Sequence, residues 1–319
     1  GLKQLFPSSV AVFALDEENA RRRKVNVDYV VRIGYEEVEP EDIQILRSAL
    51  SLTDASVQAV YQLARKFGRR WMAAVFDMKD EESKKTAEEL NIHESTYRNL
   101  RRGMEVLRRF PFLTPNSHED SVRQMLDYLE RGVNVVLEFG RYTDVTSYIL
   151  VANLLSRRIY GQYRERTEIA MAGDTAKPKP LVIAIEEAHR FLNTEVSANT
   201  IFGTIAREMR KYNVTLLVVD QRPSGIDDEV MSQLGTKICC LLDNEKDVDS
   251  VLSGVSGRNE LRSVLAKLET KQQALIFGHA VPVPVVLHTR EYGPSFYSEL
   301  GKSRERPSLT AGDIDDMWR

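Results

Sequence analysis

The sequence predicts an α/β fold: a largely parallel sheet covered by helices on both faces, with an all-helical module set into it. Three observations carry this expectation. Short runs rich in β-branched residues recur from Val133 onward: VNVVLEF, LVIAI, TLLVVD, KICCLLD, QALIF and VPVVLH. Helical patterns separate most of these runs, and strands that alternate with helices assemble into parallel sheets. Between Pro40 and Arg131, by contrast, amphipathic stretches dominate and strand candidates are few.

Taken in chain order, the first element is a strand at VAVFAL, just after the opening Gly1. A chain that opens without methionine directly before a strand reads as processed or truncated at its N-terminus rather than as a natural beginning. Residues 1–39 are expected to be part of the α/β core and residues 40–131 the helical module. In that module Pro40 suits a first helical turn and Thr53 caps a helix that reaches Phe67 before Gly68. Ser117 with Asp120 resembles a capping box for a helix that stops before Gly132. Residues 132–291 are expected to return to the core. There Tyr148, Val151, Leu155 and Ile159 mark one apolar helix face between Asp144 and Arg166, and Ile201, Ile205 and Met209 mark another between Thr200 and Tyr212. Ala172 to Pro180 reads as a loop, broken by its glycine and prolines. Residues 292–319 read as an irregular C-terminal extension.

Composition narrows the function classes. With 319 residues the chain can bury a sizeable core, and a net charge of -3 advertises no global affinity for nucleic acid. A ring can still confine basic residues to its channel. No apolar run approaches the ~20 residues a membrane span needs, and no signal-peptide pattern opens the chain, so a cytoplasmic protein without membrane contact is expected. Cys239 and Cys240 lie side by side in an apolar run and read as core filling in a reducing compartment. The five histidines show no zinc-ligand spacing.

The residues that carry chemistry cluster around LVIAIEEAH, Leu181 to His189. Five apolar residues deliver Glu186 and Glu187 to the end of a strand expected to be buried and central, where a parallel sheet opens its ligand crevice. Paired carboxylates there suit a hydrated Mg²⁺ on one and a polarised water on the other; strand-end acids facing water are the plain alternative. The next strand, TLLVVD, runs into Gln221, Arg222, Pro223 and Ser224. Gln221 can sense a phosphate or orient a water, or simply sit solvated in a turn. Between the strands, Arg207, Arg210 and Lys211 share one helix face. That stripe is either a solvated surface or a source of positive charge for a departing phosphate.

In this order and spacing, EEAH, REMRK and DQRPS resemble the HerA branch of the HerA/FtsK ATPases. The resemblance implies a RecA-like, mostly parallel sheet with flanking helices, into which the helical module is inserted. It implies Glu186 as the Walker B carboxylate on the metal side, Glu187 as catalytic base and Gln221 as sensor. Arg207 or Arg210 is implied as a finger reaching the neighbouring subunit's nucleotide. ATP and Mg²⁺ are the implied cofactors. The implied assembly is a homo-hexameric helicase ring that pumps double-stranded DNA, working with a NurA-type nuclease in DNA-end processing and repair or with another effector in antiviral defence. Arg141, Arg190 and Arg222 are the candidate DNA contacts.

The chain contains no complete phosphate-binding loop. Gly301, Lys302 and Ser303 spell the end of one, but Phe296 stands where its first glycine belongs. The resemblance places that loop upstream, so the full-length protein is expected to be the ATPase and residues 1–319 alone to be inactive. Thr86 to Gly103 reads like a helix-turn-helix carrying Arg98, Arg101 and Arg102. It leaves a second hypothesis, a DNA-binding or regulatory protein on a degenerate ATPase scaffold.

Overall fold

The computed structural model describes residues 2–115, 120–173, 176–194, 200–291 and 293–303, with the side chains of 2, 4, 207–210 and 300–303 outside the description. It divides into two compact units, residues 1–230 and 231–319.

The first unit opens with α1 (Leu2–Leu5), β1 (Val10–Ala14), α2 (Glu17–Arg22), β2 (Tyr29–Val30) and β3 (Ile33–Gly34). A run of helices follows: α3 (Pro40–Ile45), α4 (Asp54–Phe67), α5 (Trp71–Asp77), α6 (Asp80–Glu89) and α7 (Glu94–Arg108). Then come β4 (Leu113–Thr114), α8 (Ser121–Glu130), β5 (Asn134–Glu138), α9 (Val145–Met171), β6 (Leu181–Glu186), α10 (Ile201–Glu208) and β7 (Val214–Val219). α11 (Asp228–Gln233) leads into the second unit, made of β8 (Thr236–Cys239), α12 (Glu245–Val251), α13 (Arg258–Leu265), β9 (Gln273–Gly278), β10 (Val285–His288) and α14 (Pro294–Ser303).

β1 is buried along its whole length, as a strand covered on both faces should be. It pairs in parallel with β2 and β5, Val10 opposite Asn134 and Ala14 opposite Glu138. β6 and β7 form a separate parallel ladder, Leu181 opposite Val214 and Glu186 opposite Val219. Among the described residues this ladder has two strands, so β6 is not the central strand expected. Nor is it buried on both faces. Side chains alternate across a strand, and the face carrying Val182, Ala184 and Glu186 beside Thr215, Leu217 and Val219 is open to solvent. Val182 is 58% exposed and Leu217 and Val219 are each 49% exposed, whereas Leu181, Ile185 and Val214 on the other face are buried.

The helical stretch obeys its end signals. The Thr53 side chain accepts the Ser56 N–H at 3.1 Å, Pro40 opens α3, and Gly68 takes a φ of 57° that ends α4. Asp120 alone caps α8, accepting the Arg123 N–H at 3.0 Å; Ser117 lies outside the described residues. α4 packs on α7, and each buries an apolar row: Val57, Val60 and Leu63 on α4, and Leu100, Met104 and Leu107 on α7. Each such side chain contributes about 1.5–3 kcal/mol by leaving water. The helix-turn-helix segment is α6, a turn at Asn91 with φ 53°, and α7. Arg98 and Arg101 are engaged within it, by Glu94 at 2.9 Å and Asp80 at 2.7 Å.

The second unit departs from the parallel expectation, because β8, β9 and β10 are antiparallel in the order β10-β9-β8. One face of this sheet packs on α12 and α13 through Cys239, Leu275, Phe277, Val248, Leu252, Leu261 and Leu265. Cys240 is exposed, so only Cys239 fills the core. The C-terminal segment is less irregular than expected: α14 carries the backbone through Gly301–Ser303, and a helical backbone forms no phosphate-binding loop there. Residues 304–319 lie outside the description. No helix of the described residues is long and apolar enough to cross a membrane.

Candidate functional site

The parallel register that sets Glu186 opposite Val219 brings the ends of β6 and β7 side by side. Residues 187–190 and 220–222 therefore leave the ladder together. Glu187 turns sharply out of the strand, with φ 53° and ψ 44° in the left-handed region. A non-glycine residue there costs on the order of 1 kcal/mol, so its surroundings must hold it. The Arg190 N–H donates to the Glu187 carbonyl at 3.0 Å, closing a short 3-10 turn over Ala188–Arg190.

The stronger restraint comes from Asp220, whose side chain is only 4% exposed. One carboxylate oxygen accepts the His189 N–H at 2.7 Å and faces the His189 Nδ1 at 2.9 Å. The other accepts the Arg222 N–H at 2.6 Å. A buried carboxylate is tolerated when donors surround it, and hydrogen bonds to ionised acceptors are the strong ones. Asp220 thus ties the loop after β6 to the loop after β7. Gly225 completes the junction, since a Cβ there would lie 3.0 Å from the His189 Cβ.

What this clamp leaves free is polar. Glu186 and Gln221 are exposed and make no side-chain hydrogen bond or ion pair among the described residues. Glu187 is half exposed, its Oε2 3.8 Å from the His189 Nδ1. Two carboxylates and an amide thus stand at the same end of the ladder, with His189 beside Glu187. Hard oxygen donors of this kind fit a hydrated Mg²⁺ held through water. They make no closed metal cage: no group of three or more His, Cys, Asp or Glu residues among the described ones could hold a metal by itself.

The arginines expected from the sequence divide. Arg207 sits in α10 and Arg210 in the 3-10 turn that follows it, but their side chains lie outside the described part of the structure. Arg190 lies over the Tyr148 ring at 5.6 Å. Arg222 is exposed, its backbone N–H held by Asp220. Arg141 follows β5, which belongs to the other ladder, and pairs with Asp16 at 3.2 Å and Glu18 at 3.5 Å. The sequence reading missed Asp220 and His189 as site residues. Both stood inside its motifs, and an aspartate ending an apolar strand signals a need for nearby donors.

Comparison with solved structures gives the fold. The chain is similar to VirB4 of Thermoanaerobacter pseudethanolicus, with a TM-score of 0.53 at 14% identity over 92% of this chain and 84% of that one. It is also similar to the bacterial conjugative coupling protein TrwB, with a TM-score of 0.51 at 9% identity over 91% and 87%. The fold is that of the RecA-like ATPases.

Among sequence relatives, the chain is similar to curated helicases named HerA. It is 35% identical over 201 residues to the DNA double-strand break repair helicase HerA of Saccharolobus solfataricus, 60% of this chain and 39% of that protein. The HerA helicase of Pyrococcus furiosus is 39% identical over 111 residues, 34% of this chain and 20% of that protein. That of Sulfolobus acidocaldarius is 29% identical over 177 residues, 52% and 34% respectively. The chain thus matches between a fifth and two fifths of the length of these relatives. No protein-family model matches it.

Proposed function

We propose that residues 1–319 form the hydrolytic half of a HerA-type DNA-translocating ATPase, the half that activates water and senses phosphate. The observation that carries this reading is the junction at the ends of β6 and β7. There a buried Asp220 fixes the backbone just after Glu187 and Gln221, at His189 and Arg222, and leaves the Glu186 and Gln221 side chains unengaged. Glu187 accepts hydrogen-bond density from the attacking water and takes its proton; Gln221 orients that water or the phosphate it attacks. Glu186 would hold Mg²⁺ through water, and the bound ion supplies charge neutralisation on the phosphates.

The uncovered face of β6 and β7 supports a further part of the reading. A parallel sheet in an α/β protein is covered on both faces, and Val182, Leu217 and Val219 lack that cover here. In our reading a strand-and-helix segment bearing the phosphate-binding loop, outside residues 1–319, supplies it. Arg207 or Arg210 acts in trans in a homo-hexameric ring that moves double-stranded DNA. Because the relatives are named as double-strand break repair helicases, DNA-end processing with a nuclease is favoured over antiviral work with another effector.

In the full-length protein, Glu187→Gln is expected to leave ATP binding intact while lowering turnover by roughly 10²-fold or more, the share of a general base. Unchanged turnover overturns the assignment.

A further inference from the structure

Asn153 lies about a third of the way along α9 and is 3% exposed. Its side chain bridges two elements far apart in sequence. Its Nδ2 donates to Asp42 Oδ1 in α3 at 2.9 Å, and its Oδ1 accepts the N–H of Ile201, the first residue of α10, at 2.9 Å. Asp42, 1% exposed, is held further: its other oxygen takes the Arg157 guanidinium at 2.9 Å and the Glu39 N–H at 2.9 Å. Arg157, one turn beyond Asn153 on α9, also pairs with Glu39 at 2.6 Å. A continuous buried polar chain therefore runs from the first turn of α3, through α9, to the N-terminus of α10.

The buried Arg157 Nε has no partner among the described residues, but Asn153 is engaged on both sides, and in a low-dielectric interior a shift there strands both the Asp42 carboxylate and the Ile201 N–H. The N-terminus of a short helix is where such a fix has most leverage. Arg207 lies six residues past Ile201 on the same helix, about 9 Å along its axis, and Arg210 follows in the adjoining 3-10 turn. A tilt at Ile201 displaces whatever the far end carries, and a misplacement of about 1 Å can lower a catalytic rate roughly 10²-fold.

We infer that Asn153 is a positioning residue for the trans-acting arginine, with Asp42 of the helical module as its anchor. The inference rests on the finger reading above. It makes the helical module part of the catalytic machinery, since α3 sets α10 through Asn153.

Mixed rings of the full-length protein test this. The control combines Glu187→Gln with an Arg207→Ala, Arg210→Ala double variant, and is expected to regain turnover where one subunit supplies the glutamate and its neighbour the arginine. Asn153→Ala alone is expected to lower kcat at least about tenfold while moving the ATP KM less than about twofold. Mixed with Glu187→Gln, it should regain turnover above the sum of the two variants; mixed with the arginine variant, it should not. Recovery only with the arginine variant, or with neither while the control succeeds, overturns the inference. A failed control refutes the finger reading itself, and the inference with it. Should Asn153→Ala not assemble, Asn153→Asp is compared with the exchange Asp42→Asn, Asn153→Asp, which keeps the charge and both hydrogen bonds. The exchange is expected to keep most of the turnover that Asn153→Asp loses. Equal loss in both overturns the inference.

Discussion

Asp220→Ala is the sharpest test of the junction at the strand ends. The substitution removes the acceptor for the His189 N–H, the His189 ring and the Arg222 N–H, at 2.7, 2.9 and 2.6 Å. Hydrogen bonds to charged groups contribute roughly 1.5–3 kcal/mol each. Arg222 is exposed, so water replaces much of its bond; His189 is only partly exposed and its N–H is rehydrated less easily. Counting the two His189 bonds near the low end, the loss is about 3 kcal/mol. With a urea dependence of about 1–3 kcal/mol per molar, the unfolding midpoint should fall by about 1–3 M. Asp220→Asn retains one acceptor oxygen and turns an amide N–H towards the donors, so about half of that loss is expected. In the full-length protein both variants should also slow ATP turnover, because Glu187 loses the restraint on its left-handed backbone. A change below about 0.5 kcal/mol for Asp220→Ala, with unaltered turnover, would refute the reasoning.

Two further outcomes follow from local packing. Gly103 sits inside α7, where alanine would favour the helix by up to about 1 kcal/mol, but a Cβ there would lie 2.5 Å from Leu52 Cδ2 and 2.9 Å from the Leu50 carbonyl. Overpacking costs about 1–3 kcal/mol, so Gly103→Ala should lower the thermal midpoint despite its better propensity; a raised midpoint would contradict the close approach. The cysteines should separate by reactivity. Burial pushes the Cys239 thiol up to about 11, so at pH 8 it is almost wholly protonated and slow to alkylate, while Cys240 is exposed. Mass spectrometry should find one rapid adduct per native chain and a second only in denaturant; two rapid adducts would contradict the burial of Cys239.

Much of the fold was legible because its signals are local. Thr53, Pro40 and Gly68 act within one turn of themselves, and the run Leu181–Ile185 is a strand by composition alone. The positions of the candidate site residues were legible for the same reason: Glu186, Glu187 and Gln221 are set by where their strands end. What escaped depends on distant partners. Nothing near Glu187 in sequence announces its left-handed turn, since the clamp that holds it comes from Asp220. The bridge from Asn153 to Asp42 and Ile201 joins segments no periodicity connects. The antiparallel β8–β10 ladder escaped because short apolar runs such as QALIF have the same pattern in either direction. The open face at Val182 and Leu217 escaped because a fully apolar strand reads as buried whether or not a covering helix is at hand.

That open face bears on how residues 1–319 behave when handled alone. A regular parallel ladder, apolar on one side and only two strands wide among the described residues, is a template on which other chains can stack and pair. A net charge of -3 on 319 residues gives little colloidal repulsion against it. The open face that carries Val182, Leu217 and Val219 is therefore expected to favour self-association of residues 1–319.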